Sequence, residues 1–296
     1  MNDDEFMIAL HFEGKLVKDD ETLTARTLGH SLQFLQRMID KTVLFEKRGT
    51  IKKRDTLPAA WYGEADVIVK PFKKGCVIVP LFFTHKTSVI AKLKGLLHDP
   101  YEEALSEEPI EKKSLLQGFS AAYNRASYKI DMLTHEQIIQ DSASRDLRYF
   151  AEGVLKDFDN LISPLRSSAM TDKESISLEL KDSKGTKEFE FDRYSSKRFH
   201  QIVSATQLGP TVLYSGRLVE FGETKSKDFP YSGRFFSKAS KQEHKILISK
   251  ESDADSLRRY NTAKKLELNF IGAPIMAWGT FDENRGDIVF LKLIDN

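Results

Sequence analysis

The residues able to do chemistry are scattered. Seven histidines, His11, His30, His85, His98, His135, His200 and His244, include no pair four residues apart with a carboxylate between them, so local sequence supplies no zinc ligand set. His11 and Glu13 share one face of a strand-like segment, where a solvated or hydrogen-bonded surface is the simpler reading than an acid–base pair. Glu64, Asp66 and Lys70 invite comparison with two-metal nucleases, which set an acid and an acid-x-lysine triplet on adjacent strands to hold magnesium and orient water. Here the triplet is missing, because Asp66 lies four residues from Lys70. The glycines Gly14, Gly29, Gly49, Gly63 and Gly75 stand alone, without the cluster and following Lys-Ser or Lys-Thr of a phosphate loop. A Gly-x-Ser-x-Gly elbow for a serine nucleophile is also missing. No catalytic residue, metal ligand or cofactor is expected from these patterns.

Aromatic and basic residues do interleave near the C-terminus. Tyr214, Arg217, Arg234, Phe236 and Lys238 fall on adjacent strand-like runs, with Tyr231 and Phe235 beside them. On a small barrel, exposed rings stack on bases while Arg and Lys follow phosphates. The competing use of such rings is to fill the barrel. The expectation is that Tyr214, Arg217, Arg234, Phe236 and Lys238 form one exposed face that takes single-stranded nucleic acid or a nucleotide-like ligand. A second basic patch is expected where Lys52, Lys53 and Arg54, in the loop after the first long helix, meet Lys73 and Lys74 at a hairpin tip.

The whole chain gives these local groups no help. Lys plus Arg number 45 against 44 Asp plus Glu over 296 residues, so no global field steers a polyanion. Cys76 is the single cysteine and stands in the apolar run Gly75–Pro80, which reads as a small buried hydrophobe rather than a reactive thiol. The acidic start, Met1 to Glu5, lacks the pattern of a secretory signal, and no run reaches the ~20 apolar residues of a membrane span, so a cytoplasmic protein is expected.

The elements that must position these residues are legible from period and punctuation. Phe6 to Val17 alternates as a strand with its even positions on a core; Leu28, Leu32, Leu35, Met38 and Ile39 mark a long helix capped by Thr22 or Thr24. Trp61 to Val69 and Gly75 to Phe83 read as a hairpin, and a short core-facing helix starts at Thr87. The acidic tract His98 to Pro109, bracketed by prolines, reads as a linker or lid. Helices follow at Leu115 to Tyr128 and Ser144 to Ile162, then a hairpin turning at Asp182–Gly185 and a helix near Ser195 to Ala205. Five strand-like runs close the chain: Thr211–Phe221, Tyr231–Phe236, His244–Ile248, Lys265–Ile275 and Asp287–Leu293, with a helix at Asp253–Asn261 before the fourth. That order suits a small Greek-key barrel of the oligonucleotide-binding (OB) type. The expected fold is α+β: an N-terminal α/β module over 1–100, a helical and hairpin middle over 101–206, and a small OB-like β-barrel over 207–296.

His11-Phe-Glu-Gly14, the Leu28 to Val43 helix, Lys74 to Pro80, and the run from Ser215-Gly-Arg-Leu-Val219 to Ile271-Gly-Ala-Pro274 together resemble a group of uncharacterised bacterial proteins that pair an N-terminal strand–helix–hairpin module with a small C-terminal barrel. Proteins similar to these are sometimes found beside phage-defence genes, so the resemblance implies a defence role and carries over no catalytic residue. The functional expectation is a non-enzymatic binding or scaffold component, acting with a protein partner or as a homo-oligomer. The alternative is a metal-dependent nuclease with dispersed active-site residues.

Overall fold

The computed structural model describes residues 8–18, 22–51, 55–69, 77–82, 87–108, 115–128, 132–140, 142–262, 266–277, 281–282 and 286–294. Strand β1 (Ile8–Phe12) passes through a two-strand ribbon, β2 (Val17–Lys18) and β3 (Thr22–Leu23), into the long helix α1 (Ala25–Arg48). Thr24 caps α1 by accepting from Thr27 N at 3.1 Å, and Gly49 ends it at φ 71, a left-handed turn that glycine adopts without steric cost. A short helix α2 (Tyr62–Ala65) precedes β4 (Ile68–Val69), β5 (Val77–Phe82) and α3 (Thr87–Leu105). Next come α4 (Leu115–Tyr128), β6 (Leu133–Thr134), α5 (His135–Gln140) and α6 (Ser142–Leu161). The hairpin β7 (Ile176–Asp182) and β8 (Gly185–Phe191) leads to α7 (Arg193–Val203). The chain ends with β9 (Thr206–Leu208), β10 (Val212–Glu223), β11 (Tyr231–Ser237), β12 (Glu243–Ile248), α8 (Glu251–Thr262), β13 (Leu268–Ala277) and β14 (Ile288–Leu293).

These elements form two compact units, each discontinuous in sequence: 1–110 with 149–204, and 111–148 with 205–296. The expected middle region over 101–206 is therefore divided between them. In the first unit β1 sits at the centre of an antiparallel sheet ordered β4-β5-β1-β7-β8. Its register lines up apolar rows such as Val79, Leu10, Leu178 and Phe189, all buried, on one face. Phe158 of α6 and Phe199 of α7 meet Phe191 of β8 in edge-on ring pairs 5.3–5.4 Å apart. Edge-on rings add to the burial of their apolar area. The even positions of β1 face this core, as the alternation of the sequence requires.

Two expectations fail here for local reasons. His98 to Ser106 is not a linker, since α3 continues through the buried Pro100 to Leu105. The proline's missing donor is outweighed by packing: Tyr101 stands edge-on to Phe189 and Phe191 at 5.3 and 5.2 Å, and the buried Arg198 donates to the carbonyls of Glu103, Ala104 and Glu108. A guanidinium there completes the open carbonyls of a helix C-terminus and complements its dipole. The expected strand from Trp61 is helical through Ala65, and among the described residues Ile68–Val69 pair with Leu81–Phe82. Cys76 lies outside the described residues.

The second unit contains the barrel. Strands run in the order β10-β11-β12-β14-β13, and β10 pairs again with β13 to close the circle. All neighbours are antiparallel except β12 and β14. Helix α8 joins β12 to β13 and sends Ala254 and Leu257 into the same core as Phe235, Phe270 and Phe290. The expected α+β fold with a small OB-like barrel is what the chain adopts. Strands β9 and β6 extend the sheet beyond the closed barrel, and neither is legible as a strand in the sequence.

Candidate ligand face of the barrel

Barrel strands divide their residues between an interior and an exterior by alternation. On β10, Val212, Tyr214, Gly216 and Leu218 point in, while Arg217 is exposed. A bulge between Leu218 and Glu220 then resets the register and leaves Glu220 exposed. On β11, Gly233, Phe235 and Ser237 are buried, Arg234 is exposed and Phe236 is half-buried; Lys238, in the turn just after β11, is exposed. Gly216 is required by close approach, because a Cβ there would collide with the carbonyl oxygen of Phe236.

Tyr214 is therefore not part of an exposed face. It is fully buried, stacked on Phe270 at 5.2 Å and edge-on to Phe235. The physical reason is parity: residues three apart on one strand cannot share a face, so Tyr214 and Arg217 are separated by the pleat itself. Burial pushes the Tyr214 hydroxyl pKa upward, and among the described residues its Oη has no hydrogen-bond partner.

The other four residues do lie outside. The Arg217 guanidinium stands 5.2 Å from the centroid of the Phe236 ring, a cation–π distance. Arg234 is held by two carboxylates, donating from Nε to Glu220 at 2.6 Å and from Nη1 to Glu243 at 3.3 Å. Lys238 pairs with Glu267 at 2.6 Å, and this contact, with a bond from Ser215, draws the Glu267 pKa down. Beside them a groove of about 750 Å³ is lined by Glu220, Glu223, Arg234, Phe236, Lys241 and Lys245, among others. Its charged lining is balanced, where a polyanion site would be dominated by cations.

Why this face is open follows from what covers the rest. Phe119, Ala122 and Ala126 of α4 pack on the outward residues Ile271, Ala273, Val289 and Leu291 of β13 and β14, with Leu247 of β12 at the margin. On the other side of the barrel Arg217 of β10, Arg234 of β11 and Glu243 of β12 are exposed. No family model, curated protein or solved structure matches the chain. The face is thus read from its own geometry.

The second basic patch, Lys52, Lys53, Arg54, Lys73 and Lys74, lies outside the described residues. Lys70 does too; Glu64 sits in α2 rather than on a strand and is paired with Lys47. His11 meets Glu179 of β7 at 3.4 Å rather than Glu13. Among the described residues no group of three His, Cys, Asp or Glu is placed to hold a metal ion, and no helix is long and apolar enough to cross a membrane.

A buried imidazole pair was not foreseen. His135, at the start of α5, enters the barrel core, where Nδ1 shares a hydrogen with Ser237 Oγ at 2.8 Å and the ring lies 4.8 Å from Tyr214 and 5.4 Å from His244. His244 is fixed by the Gly286 carbonyl at 3.0 Å and Ser240 Oγ at 2.8 Å. Burial, reinforced by His244, pushes the pKa of His135 down to about 4, and burial lowers that of His244. One signal was available for His244: it begins an alternating run whose other inward members are Ile246 and Ile248. Nothing local marks His135, because β6, which brings it to the barrel, pairs with β10 far along the chain.

Proposed function

We propose that this chain is a non-enzymatic binding module whose ligand surface is the outer face of β10, β11 and β12, and that Arg217 and Phe236 are its contact residues for single-stranded nucleic acid or a nucleotide-like ligand. The observation that carries the reading is the cation–π pair of the exposed Arg217 and the half-buried Phe236 beside a groove on the β11–β12 face of an OB-like barrel. That face and its flanking loops are where such barrels hold oligonucleotides and oligosaccharides. Arg234 and Lys238 take a secondary role, since each is already engaged by carboxylates that a phosphate would have to displace. Binding should therefore be led by base stacking, worth about 1–3 kcal/mol per ring by alanine substitution, with a shallow salt dependence.

Titration of a fluorescent oligothymidylate into the protein tests this. Phe236→Ala should weaken binding about tenfold and Arg217→Ala somewhat less, while Glu220→Gln should strengthen it modestly by removing one of the two carboxylates that hold Arg234. Equal affinity in all three variants and the parent would remove the face as the ligand surface. The reading includes a partner protein or a second copy of the chain, in a bacterial defence assembly as the sequence resemblance implies, and light scattering over a range of concentrations measures self-association.

A further inference from the structure

Helix α1 presents Arg37, Asp40, Lys41 and Leu44 on one stripe, at the i, i+3, i+4 and i+7 positions. This stripe forms one wall of a cleft of about 430 Å³, whose remaining lining is Asp55, Thr56, Leu57 and Tyr62. Two cations, two carboxylates, an apolar floor and a half-exposed aromatic ring therefore line one concave site. Concave sites with a few convergent polar groups over apolar walls are the usual form of small-molecule pockets, and this volume falls in their range.

The polar groups are held in place from behind. Asp157 of α6 is 3% exposed, with Arg37 Nη2 at 3.3 Å and Lys41 Nζ at 2.6 Å; Lys41 also donates to the Gly153 carbonyl at 2.8 Å. Gln36 donates to Asp40 Oδ1 and to the Ala65 carbonyl, both at 2.8 Å, and accepts from Val67 N at 3.2 Å. This network ties the chain after α2 to α1 and fixes the carboxylate that faces the cleft. Burial raises the pKa of Asp40, with Asp66 adding to it and the hydrogen bond from Gln36 opposing it.

We propose that this cleft binds a free α-amino acid with an apolar or aromatic side chain: its carboxylate on Arg37, whose side chain is half exposed and only loosely held by Asp157, its ammonium on Asp40, and its side chain against Leu44, Leu57 and Tyr62. Charges of opposite sign one helical turn apart, roughly 5–6 Å between Cβ atoms, suit a ligand whose own opposite charges are separated by a single carbon. A phosphate dianion fits less well, because Asp40 and Asp55 share the lining with the two cations. A mononucleotide spreads its base and phosphate too far apart to meet both charge types on one helical turn.

Calorimetric titration of L-phenylalanine and L-leucine into the full chain tests the proposal, with N-acetyl-L-phenylalanine, phenethylamine and inorganic phosphate as the comparison probes. The expected result is saturable one-to-one binding of the amino acids, weakened at least tenfold when either charge is removed from the ligand. Asp40→Asn keeps an acceptor for Gln36 and should weaken the amino acids about tenfold at an unchanged thermal midpoint; Tyr62→Ala should discriminate against phenylalanine more than leucine. Absence of saturable binding at millimolar concentration, preference for phosphate, or unchanged affinity in Asp40→Asn overturns the proposal. The barrel variant Phe236→Ala should leave this binding intact, which separates its failure from that of the barrel face.

Discussion

Asp157 in the sheet–helix unit and His135 in the barrel unit are both almost fully buried, yet their surroundings are opposites. Asp157 lies between Arg37 and Lys41, whereas His135 lies among Tyr214, Phe281 and His244 with a serine hydroxyl as its hydrogen-bond partner. A buried carboxylate without cations would cost several kcal/mol, and a buried imidazolium without anions would cost the same in the other sense. The first unit has met the problem by pairing, the second by keeping the ring neutral. The two are consequently vulnerable to different changes.

Removing the pair partner should have the largest effect. Asp157→Ala strands Lys41, which is three-quarters buried, and should cost about 3–5 kcal/mol, toward the lower end because half of Arg37 is in water. Urea unfolding followed by intrinsic fluorescence measures it; a loss below about 1 kcal/mol would mean the pair contributes little to the unit.

Acidification should act next, and on the barrel. His135 has a folded pKa of about 4 against an ordinary 6.5, so the unfolded chain binds its proton first. Its contribution is complete above pH 6.5, declines as the pH falls toward 4, and amounts to roughly 3 kcal/mol at about 1.4 kcal/mol per pH unit. Glu136 and Asp282 oppose part of this by favouring the charged rings. Hydrogen exchange of the barrel amides at pH 7 and pH 4.5 reads the loss, and His135→Gln should flatten it. Acid loosening of both units in parallel would break the contrast.

The smallest effect sharpens the same comparison. Among the described residues the buried Tyr214 Oη has no partner, so Tyr214→Phe should change stability by less than about 1 kcal/mol, in either direction. A loss of about 2 kcal/mol or more would point to an internal water bridging Oη and the His135 ring.

What the sequence made legible and what it hid divide along the same physical line. Period-2 and period-3.6 patterns act over a few residues, and they place the capped start of α1, the β7–β8 hairpin and all five barrel strands close to their observed bounds, whereas β1 ends at Phe12, short of the expected Val17. Parity on β10 is equally legible and sets Tyr214 and Arg217 on opposite faces. The rest depends on partners distant in the chain. Arg198 reads as an ordinary helix cation until the carbonyls of Glu103 and Ala104 are seen beside it, and His135 reads as a loop histidine until β6 is laid along Val212 and Leu213. The carboxylates around Arg234 belong to the same class, since Glu220 and Glu243 reach it across two strand pairings.

The discontinuity of the two units sets an order of events during synthesis. Residues 111–148, with the strap that carries His135, are made before any strand of the barrel they belong to, and the second segment of the first unit, 149–204, intervenes. At about 5–20 residues per second the strap waits for several seconds before β10 can pair with it. For that interval the first unit can complete itself as soon as residue 204 has emerged, while Leu133, Thr134 and His135 remain an unmatched strand end and an unplaced ring. A lesion in β10 therefore prolongs the exposure of a segment encoded far upstream of it, and a binding partner or chaperone that recognises this segment would meet it only on the ribosome or after β10 fails.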